Sequence, residues 1–217
     1  MENEQEWGNG FTRTGAYWKH DRNPLRPYAL LSSGLISDGF FNGGRVIEED
    51  PELFGLACRE LWNRATLRGY TFGVTRVLGA ALGGISLSSR IAEVGRIKSG
   101  FAEKKGDDFS LNRPLIIKGE RFLLVEDTVT TGGTLEKLHA ETCKQVERAE
   151  FASAILALCN RSGKVSIAGM PIISLISPSM RSWERGENPC TPDGNELVEP
   201  VHPKTHWDEL TREYPNH

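Results

Sequence analysis

The sequence predicts an α/β fold in which a parallel β-sheet carries helices on both faces. Between residues 51 and 176, short apolar segments alternate with helical patterns, and this alternation is typical of βαβ units. Residues 122–125 form an apolar run that is too short and too uninterrupted for an amphipathic helix, which favours a strand buried on both faces. The two ends of the chain lack this alternation. We therefore expect a single domain (1–217) with a small N-terminal segment (1–45), an α/β core (46–176) and an irregular C-terminal arm (177–217).

The composition limits the possible classes of function. The chain has 217 residues, with 26 basic against 29 acidic side chains and no basic block, which argues against a dedicated nucleic-acid binder. No apolar run approaches the length of a membrane span, and the polar start does not resemble a signal peptide. We expect a cytoplasmic protein without membrane contact. The four cysteines lie far apart, and we expect Cys58, Cys143 and Cys159 to be buried free thiols.

The N-terminal segment predicts short elements. Residues 1–28 contain scattered aromatic residues, glycines and charges, which allow a short helix without requiring one. Two apolar stretches around a Ser-Gly turn in residues 30–42 favour a hairpin that contains Phe40 and Phe41. The two rings have two interpretations. They form a wall for a flat heteroaromatic ring, or they alternate between core and surface, and periodicity alone favours the second.

The core begins with a helix, a strand and a glycine-rich turn. Asp50 is the expected N-cap of a helix that starts at Pro51 and ends before Gly69. Residues 72–78 predict the next strand, and residues 79–84 predict a glycine-rich turn into a helix from about Ile85 to Val94. Such a turn can bind an anion through its backbone amides, although purely structural glycines are about as probable from the pattern alone.

The remaining core elements lie before and after the strand–helix unit that begins at residue 122. Residues 96–118 start as a strand and become charged, so we expect residues 104–113 to form an exposed hairpin or loop. After that unit, residues 151–158 and 172–176 predict two more strands. The arm that follows is rich in proline and glycine, which prevents long elements. We expect its tryptophans to pack it against the body or against a second subunit.

Residues 122–134 contain the pattern on which the functional interpretation depends. The strand ends at Glu126 and Asp127, and a turn of threonines and glycines then leads into a helical pattern from Leu135 to Val146. The first amides of a helix bind phosphate, glycines allow close approach of the backbone, and threonine hydroxyls donate further hydrogen bonds. The paired carboxylates can accept hydrogen bonds from vicinal sugar hydroxyls and help to hold a divalent cation. The predicted ligand is a ribose 5-phosphate derivative with magnesium nearby.

Residues 122–134 resemble the phosphoribosyl pyrophosphate (PRPP) signature of type I phosphoribosyltransferases, and they match neither a Walker A loop nor a dinucleotide-binding turn. Residues 31–42, Leu-Ser-Ser-Gly-Leu-Ile-Ser-Asp-Gly-Phe-Phe-Asn, look like the segment of orotate phosphoribosyltransferases that closes over the base. The closest branch of that family reads Leu-Ser-Ser-Gly-Leu. The resemblance covers roughly residues 30–176. It implies the type I phosphoribosyltransferase fold, with the N-terminal segment as a base-covering hood.

The resemblance implies transfer of the phosphoribosyl group from PRPP to orotate, with Mg²⁺ as cofactor and a homodimer as the assembly. The implied catalytic residues are Glu126, Asp127, Lys104 and Lys105. The implied PRPP-binding residues are Glu126, Asp127, Thr128, Thr130, Thr131, Gly132, Gly133, Thr134, Ala80, Ala81 and Gly83. Base binding is implied for Phe40, Phe41, Thr130 and Arg161, and magnesium binding for Glu126 and Asp127, partly through substrate or water. A guanidinium suits the orotate carboxylate because it donates two parallel hydrogen bonds.

The sequence also departs from the family pattern. Ser32 and Gly83 stand where better-known members carry lysines, and Asn160 stands where they carry an aspartate before the arginine. The charged loop lacks the family histidine and has Glu103 at the place of an arginine. Lys104, Lys105 and Arg113 are the candidates to meet pyrophosphate, and the sequence does not rank them. Two other functions therefore stay open: a phosphoribosyltransferase for another base, and a non-catalytic PRPP-sensing regulator.

Overall fold

The structure, a computed structural model, describes residues 3–106, 108–111, 118–191 and 193–215. The helices are α1 (Glu4–Arg13), α2 (Gly43–Glu49), α3 (Pro51–Leu67), α4 (Gly83–Gly95), α5 (Gly133–Gln145) and α6 (Trp207–Thr211). The strands are β1 (Tyr17–Lys19), β2 (Ala29–Leu30), β3 (Ile36–Ser37), β4 (Gly39–Phe41), β5 (Arg76–Ala80), β6 (Lys98–Lys105), β7 (Asp108–Ser110), β8 (Arg121–Val129), β9 (Glu150–Asn160), β10 (Ser166–Ile167), β11 (Met170–Ile176) and β12 (Ser182–Trp183).

The central sheet is mostly parallel, as predicted. Its strand order in the described part of the chain is β10-β11-β9-β8-β5-β6-β7. Strands β11, β9, β8, β5 and β6 run parallel to one another. The edge strands β10 and β7 are antiparallel to the strand beside them. Helix α4 joins β5 to β6, and α5 joins β8 to β9. Because β5, β8 and β9 pair in parallel, their carboxyl ends meet at one edge of the sheet.

The sheet is covered on both faces, which confirms the second part of the fold prediction. Alternate residues of a strand point to opposite faces. On β8, Leu123 and Val125 pack with the core formed by α1–α4, whereas Phe122 and Leu124 pack with Leu135 of α5.

A buried ion-pair network fixes the end of the sheet opposite to that edge. Arg76 Nε lies 2.7 Å from Glu120 Oε2, and both side chains are only 6% exposed. Lys98 Nζ lies 2.8 Å from Glu120 Oε1. Burial alone would raise the pKa of Glu120, but the hydrogen bonds from Arg76 and Lys98 outweigh it and lower that pKa. The network joins the starts of β5, β6 and β8.

The N-terminal hood and the C-terminal arm pack on each other. The predicted hairpin is present as β2 and β3, but the prediction was wrong for Phe40 and Phe41, which lie in β4 and pair with β1 instead. Strand β12 of the arm pairs with β3. Trp18 Nε1 donates a hydrogen bond to the Leu210 carbonyl at 3.0 Å. Trp207 contacts Phe40, and buried Trp183 stands edge-on to Tyr28. The predicted packing of the arm through its tryptophans against the body is confirmed.

The prediction of a strand over residues 72–78 was wrong at its start. Residues 70–73 form turns, Gly73 has a φ of +69°, and Phe72 is 85% exposed. The strand instead runs from Arg76 to Ala80 and includes Gly79, so the prediction that Gly79 belongs to the turn was also wrong. Gly79 is needed for close packing, because a Cβ atom there would overlap with the carbonyl of Gly84 in α4. The connection between β5 and α4 is therefore only Ala81 and Leu82.

Cysteine burial was predicted correctly at two positions. Cys58 and Cys159 are buried free thiols, and burial raises the pKa of each to about 12. Cys143 is exposed, contrary to the prediction. Thr142 takes the inner position on α5, where its hydroxyl donates a 2.7 Å hydrogen bond to the Leu138 carbonyl. In the described part of the chain, no helix has the length and apolar character needed to cross a membrane.

Candidate active site

The acid pair lies within β8 and not after it, because the strand continues to Val129 by pairing with β9. Asp127 is packed between the starts of two helices. A Cβ atom on Gly43 of α2 would lie 2.5 Å from Asp127 Oδ2, and one on Gly83 of α4 would lie 2.5 Å from Asp127 Oδ1. Both glycines are therefore required by close approach to this carboxylate. Burial raises the pKa of Asp127, although hydrogen bonds involving Thr128 act in the opposite direction.

Glu126 is the more strongly perturbed acid. Its pKa is raised to about 7, first by burial and then by repulsion from Asp127, against a hydrogen bond with Thr134 that lowers it. Its Oε2 atom is buried and has no hydrogen-bond partner within the described residues. A buried oxygen of this kind is costly unless a ligand satisfies it. The pair therefore has the chemistry of a site that is completed by a donor or a cation.

The turn after the acids leads directly into α5. Gly132 is the N-cap, with a φ of +87°, and Thr130 and Thr131 are exposed beside it. Thr131 Oγ1 accepts a 3.4 Å hydrogen bond from the Gly133 amide. We call this helix start, with the threonines beside it, the anion corner, because the sequence assigns the phosphate to it. All predicted phosphate-binding residues of this turn lie together.

Sequence reasoning missed Lys164. A Cβ atom on Gly132 would lie 3.6 Å from its Nζ atom, and Lys164 also lies 3.3 Å from Glu136 in the first turn of α5. The lysine follows β9 in a short turn, and no motif in the sequence links it to the anion corner. Ser162 and Asn160 position this turn through hydrogen bonds of 2.6 to 3.1 Å.

Thr130 and Arg161 are adjacent, because Val129 pairs with Asn160 and the Arg161 amide donates a 2.9 Å hydrogen bond to the Val129 carbonyl. Arg161 Nη2 donates to the hydroxyls of Ser37 and Ser182, each at 3.3 Å. Burial lowers the pKa of Arg161, while Cys159 and Asp38 act in the opposite direction. A cavity of about 500 Å³ is lined by Arg161 and by residues 162–165 and 177–180. The sequence did not indicate Ser182.

Phe40 and Phe41 point to opposite sides of β4. Phe41 is buried against Phe11, with ring centroids 5.3 Å apart, so its ring belongs to the core. Phe40 is partly buried and packs with Trp207. This arrangement is the alternation between core and surface that periodicity favoured. The ring of Phe41 is thereby excluded from direct stacking on a ligand, and Phe40 is the remaining aromatic candidate.

The residues that the resemblance assigns to pyrophosphate lie at the ends of β5 and β6, in the connection after β5 and at the start of α4. Ala80 ends β5, Ala81 lies in the connection, and Gly83 begins α4. The Ala81 amide donates a 2.9 Å hydrogen bond to the Ala102 carbonyl of β6. Lys104 and Lys105 are exposed at the end of β6, which forms the predicted hairpin with β7. Arg113, the third cation considered, lies outside the described residues.

The acid pair fits a magnesium ion that is held mainly by substrate and water. Mg²⁺ prefers hard oxygen ligands and commonly takes one or two carboxylates together with substrate phosphates. The unpartnered Oε2 atom of Glu126 supplies such an oxygen beside Asp127. Within the described residues, no cluster of three or more histidine, cysteine, aspartate or glutamate side chains offers a complete protein cage.

Comparison with known proteins identifies relatives over most of the chain. No protein-family profile matches. The chain is 32% identical over 172 residues to the orotate phosphoribosyltransferase of Caldanaerobacter subterraneus subsp. tengcongensis, covering 79% of this chain and 86% of that protein.

Solved structures share the fold. Orotate phosphoribosyltransferase from Aeropyrum pernix superposes with a TM-score of 0.58 at 20% identity, over 78% of this chain and 92% of that one. Adenine phosphoribosyltransferase from Saccharomyces cerevisiae superposes with a TM-score of 0.59 at 14% identity, over 79% of this chain and 99% of that one. Because both kinds of enzyme have this fold, the acceptor base has to be inferred from the sequence relatives and the site.

Proposed function

This chain belongs to the orotate phosphoribosyltransferase family, and we propose that it transfers the 5-phosphoribosyl group of PRPP to orotate. The products are orotidine 5′-monophosphate and pyrophosphate, as in pyrimidine synthesis. The observation that carries the proposal is the acid pair of β8, which lies beside the anion corner at the start of α5. Family membership confirms the resemblance that residues 122–134 indicated.

In this proposal, PRPP binds across the carboxyl end of β8. The first amides of α5 and the hydroxyls of the Thr/Gly turn hold the 5-phosphate, since they combine unpaired donors with the positive end of the helix dipole. Asp127 and Glu126 accept hydrogen bonds from the ribose hydroxyls. Ionised carboxylates accept such bonds, so the site favours the charged form of Glu126 once the sugar is bound.

The leaving pyrophosphate faces the β5–α4 connection. Gly83 begins α4 there, so its amide belongs to the first turn of a helix, whereas the Ala81 amide already donates to the Ala102 carbonyl. Lys104 and Lys105 lie on the adjacent strand β6. Bound magnesium supplies charge neutralisation for the pyrophosphate. Fixed positive groups aimed at this oxygen cluster lower the energy of the transition state, because negative charge develops there as the bond to C1 breaks.

Orotate enters beside Arg161. Its guanidinium pairs with the carboxylate of the base, and Thr130 lies next to it to bind a carbonyl edge. The partly buried setting strengthens this pairing, because water screens it less. Phe40 covers the flat ring. The nucleophilic nitrogen is thereby held in line with C1 while the ribosyl centre gains oxocarbenium character.

Two parts of the proposal are supported by family resemblance alone. They are the homodimeric assembly and the cytoplasmic location. Sedimentation of the purified protein tests the first.

A transferase for another base is the second candidate. It is favoured by the absence of the loop histidine and by the serine and glycine at positions 32 and 83. A regulator that binds PRPP without turnover is the third. The small negative net charge of −3 does not favour the nucleic-acid contact that a DNA- or RNA-binding regulator needs.

One assay separates these candidates. Purified protein is incubated with PRPP, Mg²⁺ and a panel of bases, and pyrophosphate release is followed. We expect release that depends on orotate, and a fall of at least 100-fold in Asp127→Asn. Asp208→Asn, at an exposed carboxylate of α6, is the matched control and should retain full turnover. Release with a different base would support the second candidate, and PRPP binding without release would support the third.

A further inference from the structure

A second polar cavity lies between the hood and the C-terminal arm. It has a volume of about 220 Å³, and its lining includes Lys19, Arg22, Arg181, Asp38, His20 and Cys190. These residues come from β1, from the loop after it, from the β3–β4 bend and from the arm. The proposed reaction uses none of them.

The lining has an excess of positive charge. Asp38 is its one carboxylate within the described residues, and it is already occupied. Asp38 Oδ1 lies 2.7 Å from Lys19 Nζ and accepts a 2.8 Å hydrogen bond from the Arg181 amide. Arg22 and Arg181 also line the cavity, and among the described residues of its lining no acid besides Asp38 is present to balance them. Guanidinium groups match the oxygen geometry of phosphate.

The loop that presents Arg22 is held in place. The Arg22 amide donates a 2.8 Å hydrogen bond to His20 Nδ1, and His20 Nε2 lies 3.0 Å from the Arg26 carbonyl. The His20 ring stacks on Tyr28 with centroids 4.0 Å apart. Burial lowers the pKa of His20, so the ring is neutral at neutral pH and serves as a fixed support. Arg22 is thereby positioned with a φ of +70°.

We propose that this hood cavity binds a phosphate group, either free or as the monoester of a small molecule. A water molecule occupies about 30 Å³ of liquid volume, so a cavity of 220 Å³ has room for a phosphate and its immediate substituent. Arg181 and Arg22 bind its oxygens, and Lys19 contributes further positive charge.

The cavity is coupled to the acceptor arginine through neighbouring residues. Asp38 follows Ser37, and Arg181 precedes Ser182, and these two serines are the hydroxyl partners of Arg161. Ser37 Oγ also donates a 2.8 Å hydrogen bond to the Arg181 carbonyl. An anion on the Arg181 side chain competes with Asp38 for Lys19 and shifts the strand pair that holds Arg161. Phosphate binding in the hood cavity is independent of the proposed reaction. Its effect on orotate binding through Arg161 rests on the proposed function.

Calorimetric titration of the full-length protein with inorganic phosphate tests the binding. We expect two phosphate equivalents per chain, one in the anion corner at α5 and one in the hood cavity. Arg181→Gln keeps the backbone contacts with Asp38 and should weaken one equivalent at least tenfold. Arg22→Gln should weaken the same one. Arg185→Gln, at an exposed arginine of the arm paired with Glu199, is the matched control and should bind as the wild type.

A second titration uses ribose 5-phosphate in place of inorganic phosphate. Tighter binding of the Arg181-dependent equivalent than with phosphate identifies a monoester ligand, and weaker binding identifies free phosphate. At saturating PRPP, which keeps phosphate out of the anion corner, phosphate should change the orotate KM of the wild type at least threefold, and in Arg181→Gln this change should vanish. If the proposed reaction is wrong, the KM measurement shows no turnover to compare, but the Arg181-dependent phosphate equivalent is still detected by calorimetry. Phosphate binding that neither Arg181→Gln nor Arg22→Gln alters would overturn the proposal.

Discussion

At the scale of single residues, Glu126 is under opposing demands from stability and function. Its pKa is raised from 4.5 to about 7, chiefly by burial and then by Asp127. The folded protein therefore binds more protons than the unfolded chain between these pH values, so its free energy of unfolding falls as pH rises through this window. Ligand binding requires the opposite, because the ionised carboxylate is the better acceptor for hydroxyls and cations.

Glu126→Gln should separate these two demands. At pH 8 we expect the ligand-free variant to be more stable than the wild type by about 1–3 kcal/mol, because a neutral amide replaces a buried charge. Turnover should fall at least tenfold. In the wild type, the KM for PRPP should decrease as pH rises through about 7, and this dependence should be absent in the variant.

Urea unfolding at pH 5 and pH 8, with PRPP kinetics over the same range, measures both effects. Glu187→Gln, at an exposed carboxylate of the arm, is the control and should change neither. A variant that is no more stable than the wild type at pH 8 would show that the ionised Glu126 carboxylate does not destabilise the ligand-free protein.

Arg161 gives the residue-scale test of the acceptor. Arg161→Ala should raise the KM for orotate at least tenfold and the KM for PRPP less than twofold, since the described hydrogen bonds of its guanidinium are with Ser37 and Ser182 and not with the acid pair. Arg161→Lys should give an intermediate KM, because it keeps the charge and loses the two parallel hydrogen bonds. Initial-rate kinetics with each substrate varied provide the measurement. Equal increases in both KM values would mean that Arg161 only braces Ser37 and Ser182.

At the scale of elements, the site depends on two helix starts that approach one strand. Helices α2 and α4 both bring a glycine against Asp127. This contact also explains why a lysine at position 83, as in some family members, is incompatible with the present position of Asp127. A side chain there would need the carboxylate to move.

Gly83→Ala tests this contact. The added Cβ would lie 2.5 Å from Asp127 Oδ1, so we expect a displaced carboxylate and a fall of roughly 10- to 100-fold in kcat/KM for PRPP, or about 1.4–2.7 kcal/mol. Gly8→Ala in α1 is the matched control, because a Cβ there meets nothing within 4 Å. It should leave kcat/KM unchanged and raise stability by roughly 0.5–1 kcal/mol. Unaltered PRPP kinetics in Gly83→Ala would show that Asp127 does not need this position.

The sequence predicted the elements well where the signal was local. Residues 122–134 contain strand, acids, turn and helix start consecutively, so the corner follows from neighbouring residues. The contact of Gly43 with Asp127 and the hydrogen bond that Arg161 donates to Ser182 join segments far apart in the chain, and no local pattern encodes them. The pattern predicts a turn at Gly79 because glycine is typical of turns. The structure instead requires glycine at this position because α4 packs closely against β5 there.

At the scale of the whole molecule, the C-terminal arm packs on the hood. Leu210 is fully buried in a cluster with Trp18 and Ala29 of the hood. Leu210→Ala should lower the free energy of unfolding by about 2–4 kcal/mol through lost packing and a residual cavity. It should also raise the orotate KM more than the PRPP KM, because the hood contributes Phe40 and Ser37.

Leu197→Ala is the control, since Leu197 belongs to the same arm and is 63% exposed. Urea unfolding and initial rates provide the comparison. If both variants behave alike, the arm does not hold the hood through Leu210.

The most direct test is a crystal structure of the protein with PRPP and Mg²⁺. We expect the 5-phosphate on the first amides of α5 and the ribose hydroxyls within hydrogen-bond distance of Glu126 and Asp127. An anion corner left empty at saturating PRPP, or a sugar bound away from these two carboxylates, would contradict it.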